Sequence, residues 1–341
     1  MKPLETAGVQ VVVRTQWFPR EWQSPLLGQM SRRLHSRAVT VLRLINMIPL
    51  LRDASSFDVI MMNRDLVPEI KVNFIEPLLA KTNPRLIFDF DDAIHLTSRG
   101  NKLRKILPSF AWITAGNEQL ASFAREIHPS VSVWPSVVDT EYYRPVKSRR
   151  PGPLRIGWSG SHQPMRDYVP MLKGPLMELA KTVDFEFLVI SDELPQLDWS
   201  GVKWRHIPWK EATEAEDLQE IDIGTMPLRD AAFERGKCGM KAILYMSAGI
   251  PALVSPVGAN CNIVLDGKTG FHCGSDSEWV AAFRSLVSDE NLRLQLGRAG
   301  RAHVEMLYSQ HCLFPRMIDI FGQVAALNER GRSVSNTRGC E

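Results

Sequence analysis

The chain has 341 residues, 44% of them hydrophobic and 23% charged, with a formal net charge of +3. At about 100–200 residues per domain this leaves room for two domains with full cores, and the near-neutral balance gives no overall reason to bind nucleic acid. Five cysteines, an odd number with no C-x-x-C pair, argue against a disulfide framework or a zinc site and fit a reducing, cytoplasmic setting.

In chain order, Val9–Val13, Asp58–Met62, Leu86–Phe90, Trp112–Ala115 and Val131–Trp134 have the short apolar composition of strands. Ile70–Ala80 and Asn117–Glu126 read as helices between them, which predicts a parallel α/β sheet. Val39–Leu51 is the longest apolar stretch, but Arg43, Asn46 and Pro49 interrupt it well short of the ~18 residues a membrane span needs. The start of the chain has no signal-peptide pattern. Basic clusters at Arg32–Arg33 and Lys147–Arg150 read first as solvated surface. Their second reading is weak peripheral contact with anionic lipid at the inner face of a membrane.

Tyr143–Pro153, with three prolines and no apolar periodicity, has linker composition. A second α/β series follows. Its expected strands are Leu154–Trp158, Phe185–Ile190, Lys203–Ile207, Ile221–Met226, Ala252–Ser255 and Gly270–His272, with a helix over Tyr168–Lys181. Three helices are expected near the end, over Glu278–Ser288, Asn291–Tyr308 and Leu313–Leu327, and then a polar, frayed tail. The expected division is an N-terminal domain over 1–145, a C-terminal domain over 146–312, a last helix over 313–328 and a tail over 329–341.

Ligands of parallel α/β sheets bind beyond the carboxyl ends of the strands, so the residues just after each strand are the candidates. Phe233–Gly249 follows the strand at Ile221–Met226. Gly236 and Gly239 allow close backbone approach, a helix starting near Lys237 would turn its free amides toward an anion, and Arg235, Lys237 and Lys241 add positive charge. Basic residues in a first helical turn oppose the helix dipole, which favours an anionic partner such as a diphosphate over a plain amphipathic helix. On that helix Met240, Ile243, Leu244 and Ser247 would share the buried face, with Lys241 and Tyr245 to the side. Gly157, Ser159, Gly160 and Ser161 form a small-residue loop after a strand, by itself as consistent with a tight turn as with a phosphate cradle. After Leu86–Phe90 come Asp91, Asp92 and His95. Carboxylates there can hold sugar hydroxyls, take a proton or bind metal, and equally can cap the next helix. No further ligand cluster suggests a metal. The remaining histidines are scattered singly.

At these residues the sequence resembles the bacterial family 4 glycosyltransferases. The match is most specific over Ile221–Phe271, from IDIGTMPL through RGKCGMKAILYMSAGIPALVSPVGANCNIVLDGKTGF, and extends over roughly 55–310 through FDFDDAIH, VWPSVVDTEYYRP and EWVAAFRSLVSDENLRLQLGRAGRAHVEMLYS. The resemblance implies a GT-B fold: two Rossmann-like domains facing across a cleft, with a C-terminal helix crossing back to the N-terminal domain. It also implies metal-independent, retaining transfer of a sugar from a nucleoside diphosphate sugar to a saccharide or lipid-linked acceptor, with no separate cofactor. In that frame Lys241 and Arg235 stabilise the leaving diphosphate. Asp92 and His95 orient the acceptor. Gly157, Ser159, Gly160, Ser161, Lys237, Gly239, Met240 and Tyr245 surround the donor. Three departures stand out. The second of the family's paired glutamates, eight positions apart, falls on Leu244, with Gly236 at the first and Glu234 out of register. His162 and Arg166 occupy the loop where the family places phosphate-binding Arg and Lys. The first strand of the family's N-terminal domain has no counterpart. The alternatives are a weak or inactive GT-B protein acting as a binding module, and a sugar-nucleotide epimerase.

Overall fold

The structure, a computed structural model, describes residues 2–14, 45, 47–66, 73–145 and 152–327. Arg32–Arg33, Lys147–Arg150, most of the expected linker and the expected tail lie outside the described residues. The chain divides into two compact units: residues up to Trp134 together with those from Phe314 onward, and Pro135–Leu313.

The N-terminal unit holds four parallel strands in chain order: β1 (Ile60–Asn63), β2 (Leu86–Phe90), β3 (Trp112–Ala115) and β4 (Val131–Val133). Helices Ile75–Thr82, Gly100–Ile106 and Glu118–Arg125 make the crossovers. Leu86, Ile87 and Phe88 are all fully buried, the mark of a strand covered on both faces. The Asn117 side chain accepts the Leu120 amide at 2.9 Å and so starts the third helix. Val9–Val13 is not a strand: it joins no ladder, and Val12 and Val13 are exposed. Apolar composition alone makes no strand where no sheet edge accepts it. The helix expected from Ile70 begins at Ile75, with residues 67–72 outside the described set.

Beyond β1, a buried ammonium bridges two buried carboxylates: Lys102 Nζ lies 3.0 Å from Asp65 and 3.2 Å from Glu76. Glu76 also accepts the Leu66 amide at 3.2 Å. Charges buried in this way are tolerated only in mutual contact.

The C-terminal unit holds six parallel strands: β5 (Leu154–Ser159), β6 (Phe185–Ser191), β7 (Lys203–Pro208), β8 (Ile223–Met226), β9 (Ala252–Val254) and β10 (Gly270–His272). Their order across the sheet is β10-β9-β8-β5-β6-β7. The chain lays β6 and β7 to one side of β5, then returns to lay β8, β9 and β10 on the other. The order therefore reverses between β5 and β8, and in such sheets the crevice outside the carboxyl ends at the reversal is the ligand position. Alternate residues of β6 serve two cores, Phe187 and Val189 in one, Leu188 and Ile190 in the other.

Three local expectations need correction. The helix expected over Tyr168–Lys181 is two helices, His162–Tyr168 and Lys173–Ala180, joined by a 3-10 turn over Val169–Leu172 that contains Pro170. Proline lacks the amide that a continuous helix would need there. The helix expected near Lys237 begins at Met240, because Gly239 before it is left-handed at φ 67°. A Cβ at Gly239 would also stand 2.1 Å from the Ile263 side chain, so only glycine fits. Within that helix Met240 is exposed and Tyr245 is completely buried, the reverse of the expected faces.

Residues 135–145 belong with the C-terminal unit. Val138 exchanges backbone hydrogen bonds with Tyr308 and Gln310, and the Tyr143 carbonyl accepts from Ser247 Oγ and Arg301. The last helix, Gln310–Ala325, is counted from Phe314 with the N-terminal unit and buries Met317, Ile320 and Val324 at helical spacing. Among the described residues no helix is long and apolar enough to cross a membrane.

One buried contact ties the end of β5 to the helix Met240–Ser247. The Tyr245 hydroxyl accepts the Ser159 amide at 2.8 Å, and the Tyr245 ring lies against Gly224 of β8, where a Cβ would come within 2.4 Å. Tyr245→Phe leaves the Ser159 amide buried and unbonded, which should cost about 1–3 kcal/mol in a denaturant titration of the C-terminal unit. Lys102→Met takes the shared ammonium from two buried carboxylates, leaving Asp65 only Arg99 at 3.8 Å and Glu76 the Leu66 amide. It should destabilise the N-terminal unit by about 3–5 kcal/mol, read as lost hydrogen-exchange protection in β1–β3.

Candidate functional site

The reversal between β5 and β8 brings together the loop after β5 and the segment that follows β8. Gly160 donates its amide to the Ile190 carbonyl at 2.9 Å, so the loop turns off the sheet at a fixed height. A Cβ on Gly160 would meet Lys241 Cε at 2.6 Å and the Trp158 ring at 2.7 Å. The Lys241 stem thus lies directly over the loop. Its ammonium is 5.2 Å from the centre of the Trp158 ring, a cation–π contact with a fully buried indole.

The second cation is mounted in the same manner. Lys237 Nζ is 5.2 Å from the Phe233 ring centre and 5.7 Å from that of Tyr168. The Tyr168 hydroxyl donates to the buried Glu234 carboxylate at 3.0 Å. Burial, and then this bond, push the phenol's pKa well above the usual range, so it stays a donor. Arg229 lies 5.8 Å from the Tyr168 ring centre. Aromatic faces attract a positive charge and hold it in place.

Not every expected donor residue faces outward. Ser161 and Met240 are both exposed. Gly157 lies within β5, where a Cβ would strike the Ile221 side chain at 2.3 Å, so its role is strand packing. Tyr245 carries the loop from beneath through Ser159 and does not reach the surface. Arg235 is exposed and pairs with Asp230 at 2.7 Å. Leu244 is part of the apolar core, so the position of the family's second glutamate holds no polar group. Glu234, out of register in the sequence, is engaged by Tyr168.

His162, named in the loop after β5, has a partner that motif reading passed over. Asp192, just past β6, accepts the His162 amide at 2.6 Å through Oδ1 and faces His162 Nδ1 at 3.2 Å through Oδ2. Burial works against ionisation of Asp192, but the bonds from the His162 ring and amide prevail and hold its carboxyl below the usual range. Arg166, one turn on, pairs with Glu193 at 2.7 Å. An acid at a strand end, Asp192 after β6, was the signal that could have found this pair.

In the N-terminal unit the strand ends hold carboxylates. The Arg64 guanidinium spans Asp91 at 2.7 Å and Asp92 at 3.0 Å. Arg64 itself is left-handed at φ 66°, a costly conformation for a residue with a Cβ. Asp89 accepts from Thr114 Oγ1 at 2.7 Å and Asn63 Nδ2 at 2.9 Å, and burial raises its pKa. His95 stacks on Phe123 at 4.2 Å between ring centres, and burial, then Arg104, lower its pKa, so the ring is neutral at neutral pH. Asp92 and His95 therefore differ in kind: one is an ion-paired carboxylate, the other a stacked neutral imidazole. Among the described residues no group of three His, Cys, Asp or Glu side chains could hold a metal ion.

Comparison with known proteins agrees with this architecture. The family model described as glycosyl transferases group 1 matches residues 154–289. No curated protein matches the sequence. Among solved structures, a glycosyltransferase from Rickettsia africae ESF-5 is 14% identical with a TM-score of 0.64, over 95% of this chain and 87% of that one. Sucrose-phosphate synthase from Thermosynechococcus elongatus is 13% identical with a TM-score of 0.61, over 91% and 81%. HepE from Anabaena, in complex with UDP and glucose, is 12% identical with a TM-score of 0.61, over 83% and 81%. Identities this low speak to fold alone. The protein has the two-domain α/β GT-B fold, and residues 154–289 of its C-terminal unit carry the pattern of glycosyl transferases group 1.

Proposed function

We propose that the protein is a retaining glycosyltransferase that moves a sugar from a nucleoside diphosphate sugar to a saccharide or lipid-linked acceptor in the cytoplasm. The observation that carries this reading is the pair of aromatic-mounted cations, Lys241 over Trp158 and Lys237 over Phe233 and Tyr168. Both belong to the segments that meet where the strand order reverses. The family match over the same segments and the UDP and glucose held by the HepE neighbour support it.

In this reading the donor diphosphate lies on the Gly160–Ser161 loop beside the start of the helix at Met240. That helix adds unpaired amides and the positive end of its dipole. As the anomeric bond breaks, negative charge grows on the leaving phosphate, and preorganised cations stabilise it without having to move. Lys241 is the principal catalytic cation, Lys237 the second, and Arg235 adds charge at the exposed end of the segment. The departing phosphate takes the acceptor proton. Asp92 or the neutral His95 orients the acceptor hydroxyl on the N-terminal unit. The reading assigns no metal and no cofactor beyond the donor.

One observation favours a second reading, a sugar-nucleotide-binding protein without transfer activity: Leu244 is part of the core where the family has a ribose-contacting glutamate. The two separate by assay. Incubation with UDP- and GDP-sugars should release nucleoside diphosphate, and Lys241→Ala should lower that release about 100-fold or more. Binding without release supports the second reading, sugar isomerisation without release points to an epimerase, and undiminished release by Lys241→Ala sinks the assignment of Lys241.

A further inference from the structure

The buried cluster of Asp65, Lys102 and Glu76 has no part in the reading above, and it begins one residue past a strained point of the chain. Among the described residues Arg64 is the one non-glycine residue with a positive φ, 66°. A Cβ makes that conformation costly, and glycine or asparagine would adopt it more readily if the strand merely had to end there. Such strain persists only where the surroundings over-determine it. Here they do so on both sides. The Arg64 amide is held by the Asp89 carbonyl at 2.8 Å, which continues the ladder between β1 and β2. Next in the chain, the Asp65 side chain is completely buried and bonded at 3.0 Å to Lys102, which also holds Glu76 at 3.2 Å. That cluster ties the end of β1 to the helices Ile75–Thr82 and Gly100–Ile106.

The strain changes where the side chain goes. Asn63 is the register partner of Asp89, so one more extended residue would set the Arg64 side chain on the face of the buried Phe90. The left-handed turn takes it off that face, and the guanidinium reaches the residues that follow β2. Its Nε and Nη2 donate to Asp91 Oδ1 at 3.1 Å and 2.7 Å, and Nη2 also donates to Asp92 Oδ2 at 3.0 Å. One nitrogen thus gathers two carboxylates from consecutive residues, whose side chains tend to diverge. All three side chains stay accessible, 36% for Arg64, 52% for Asp91 and 31% for Asp92. A carboxylate has about four acceptor positions, so a bond to the guanidinium leaves it able to accept from a hydroxyl group as well.

We propose that Arg64 is a positioning residue: its strained backbone, locked by the Lys102 cluster, sets Asp91 and Asp92 side by side to receive the hydroxyl groups of a saccharide acceptor. The proposal rests on the glycosyltransferase reading and extends the acceptor contact from Asp92 alone to the pair. Arg64 acts through the two carboxylates and does not touch the bond that is made.

The test is transfer from UDP- and GDP-sugars to methyl and octyl glycosides of glucose, galactose and mannose, with the full chain. Arg64→Gly and Arg64→Asn should each raise the KM for the glycoside about tenfold, the size expected for one charge-assisted bond, with kcat and the donor KM little changed. The melting temperature of the two variants should not fall, because relief of the left-handed strain offsets the lost ion pairs. Low, non-denaturing guanidinium chloride should restore the KM of Arg64→Gly by taking the vacated place between the carboxylates, a rescue that a purely structural role would not show. Arg64→Gly with the wild type's KM overturns the inference. A loss that guanidinium does not restore, or that falls equally on the donor KM, overturns it too. So does a wild type that hydrolyses the donor yet uses none of the glycosides. If the wild type releases no nucleoside diphosphate from any donor, the glycosyltransferase reading itself fails.

Discussion

The bond from the Ser159 amide to the buried Tyr245 hydroxyl is the constraint on which the C-terminal site depends. It joins the carboxyl end of β5 to the helix Met240–Ser247 inside the core, where an unpaired amide would be costly. The Tyr245 ring in turn needs Gly224 beneath it, on the neighbouring strand β8. Three elements that come from distant parts of the chain are thus held in one register. The position of the Gly160 loop relative to Lys241 follows from that register.

The parts of the structure written in local composition were legible in advance. β2, β3 and β10 have their expected bounds, and the other strands that form differ from expectation by a few residues at most, because buried parallel strands are short unbroken apolar runs. Val9–Val13 failed because a strand is a relation to a neighbour, and composition does not report neighbours. Tyr245 and Met240 were assigned to the wrong faces for a related reason. The helix from Met240 is buried on nearly every side, from Ala242 to Ser247, so a single apolar face does not describe it, and Met240 stands exposed in its first turn. The cations of the site were legible as charge beside glycine. What holds them was not, since Trp158, Phe233 and Tyr168 read as ordinary core aromatics until the fold sets a lysine over each face.

The two units use opposite electrostatics at their strand ends. In the C-terminal unit cations are supported on aromatic rings. In the N-terminal unit carboxylates are met by nearby cations, Arg64 with Asp91 and Asp92, and Lys102 with Asp65 and Glu76. Arg64, the cation of the exposed pair of carboxylates, is itself left-handed at φ 66°.

Trp158, Gly160 and Lys241 occupy one another's space: a single methyl group on the glycine would touch both partners. None of the three can therefore vary freely. A bulkier loop residue would lift the lysine off the indole, a smaller residue at 158 would leave the lysine stem without a floor, and an arginine at 241 would need a differently shaped loop to lie flat. In related sequences these three positions should change as a set, so that their covariation, rather than the identity of any one of them, would trace how this family of sites drifts.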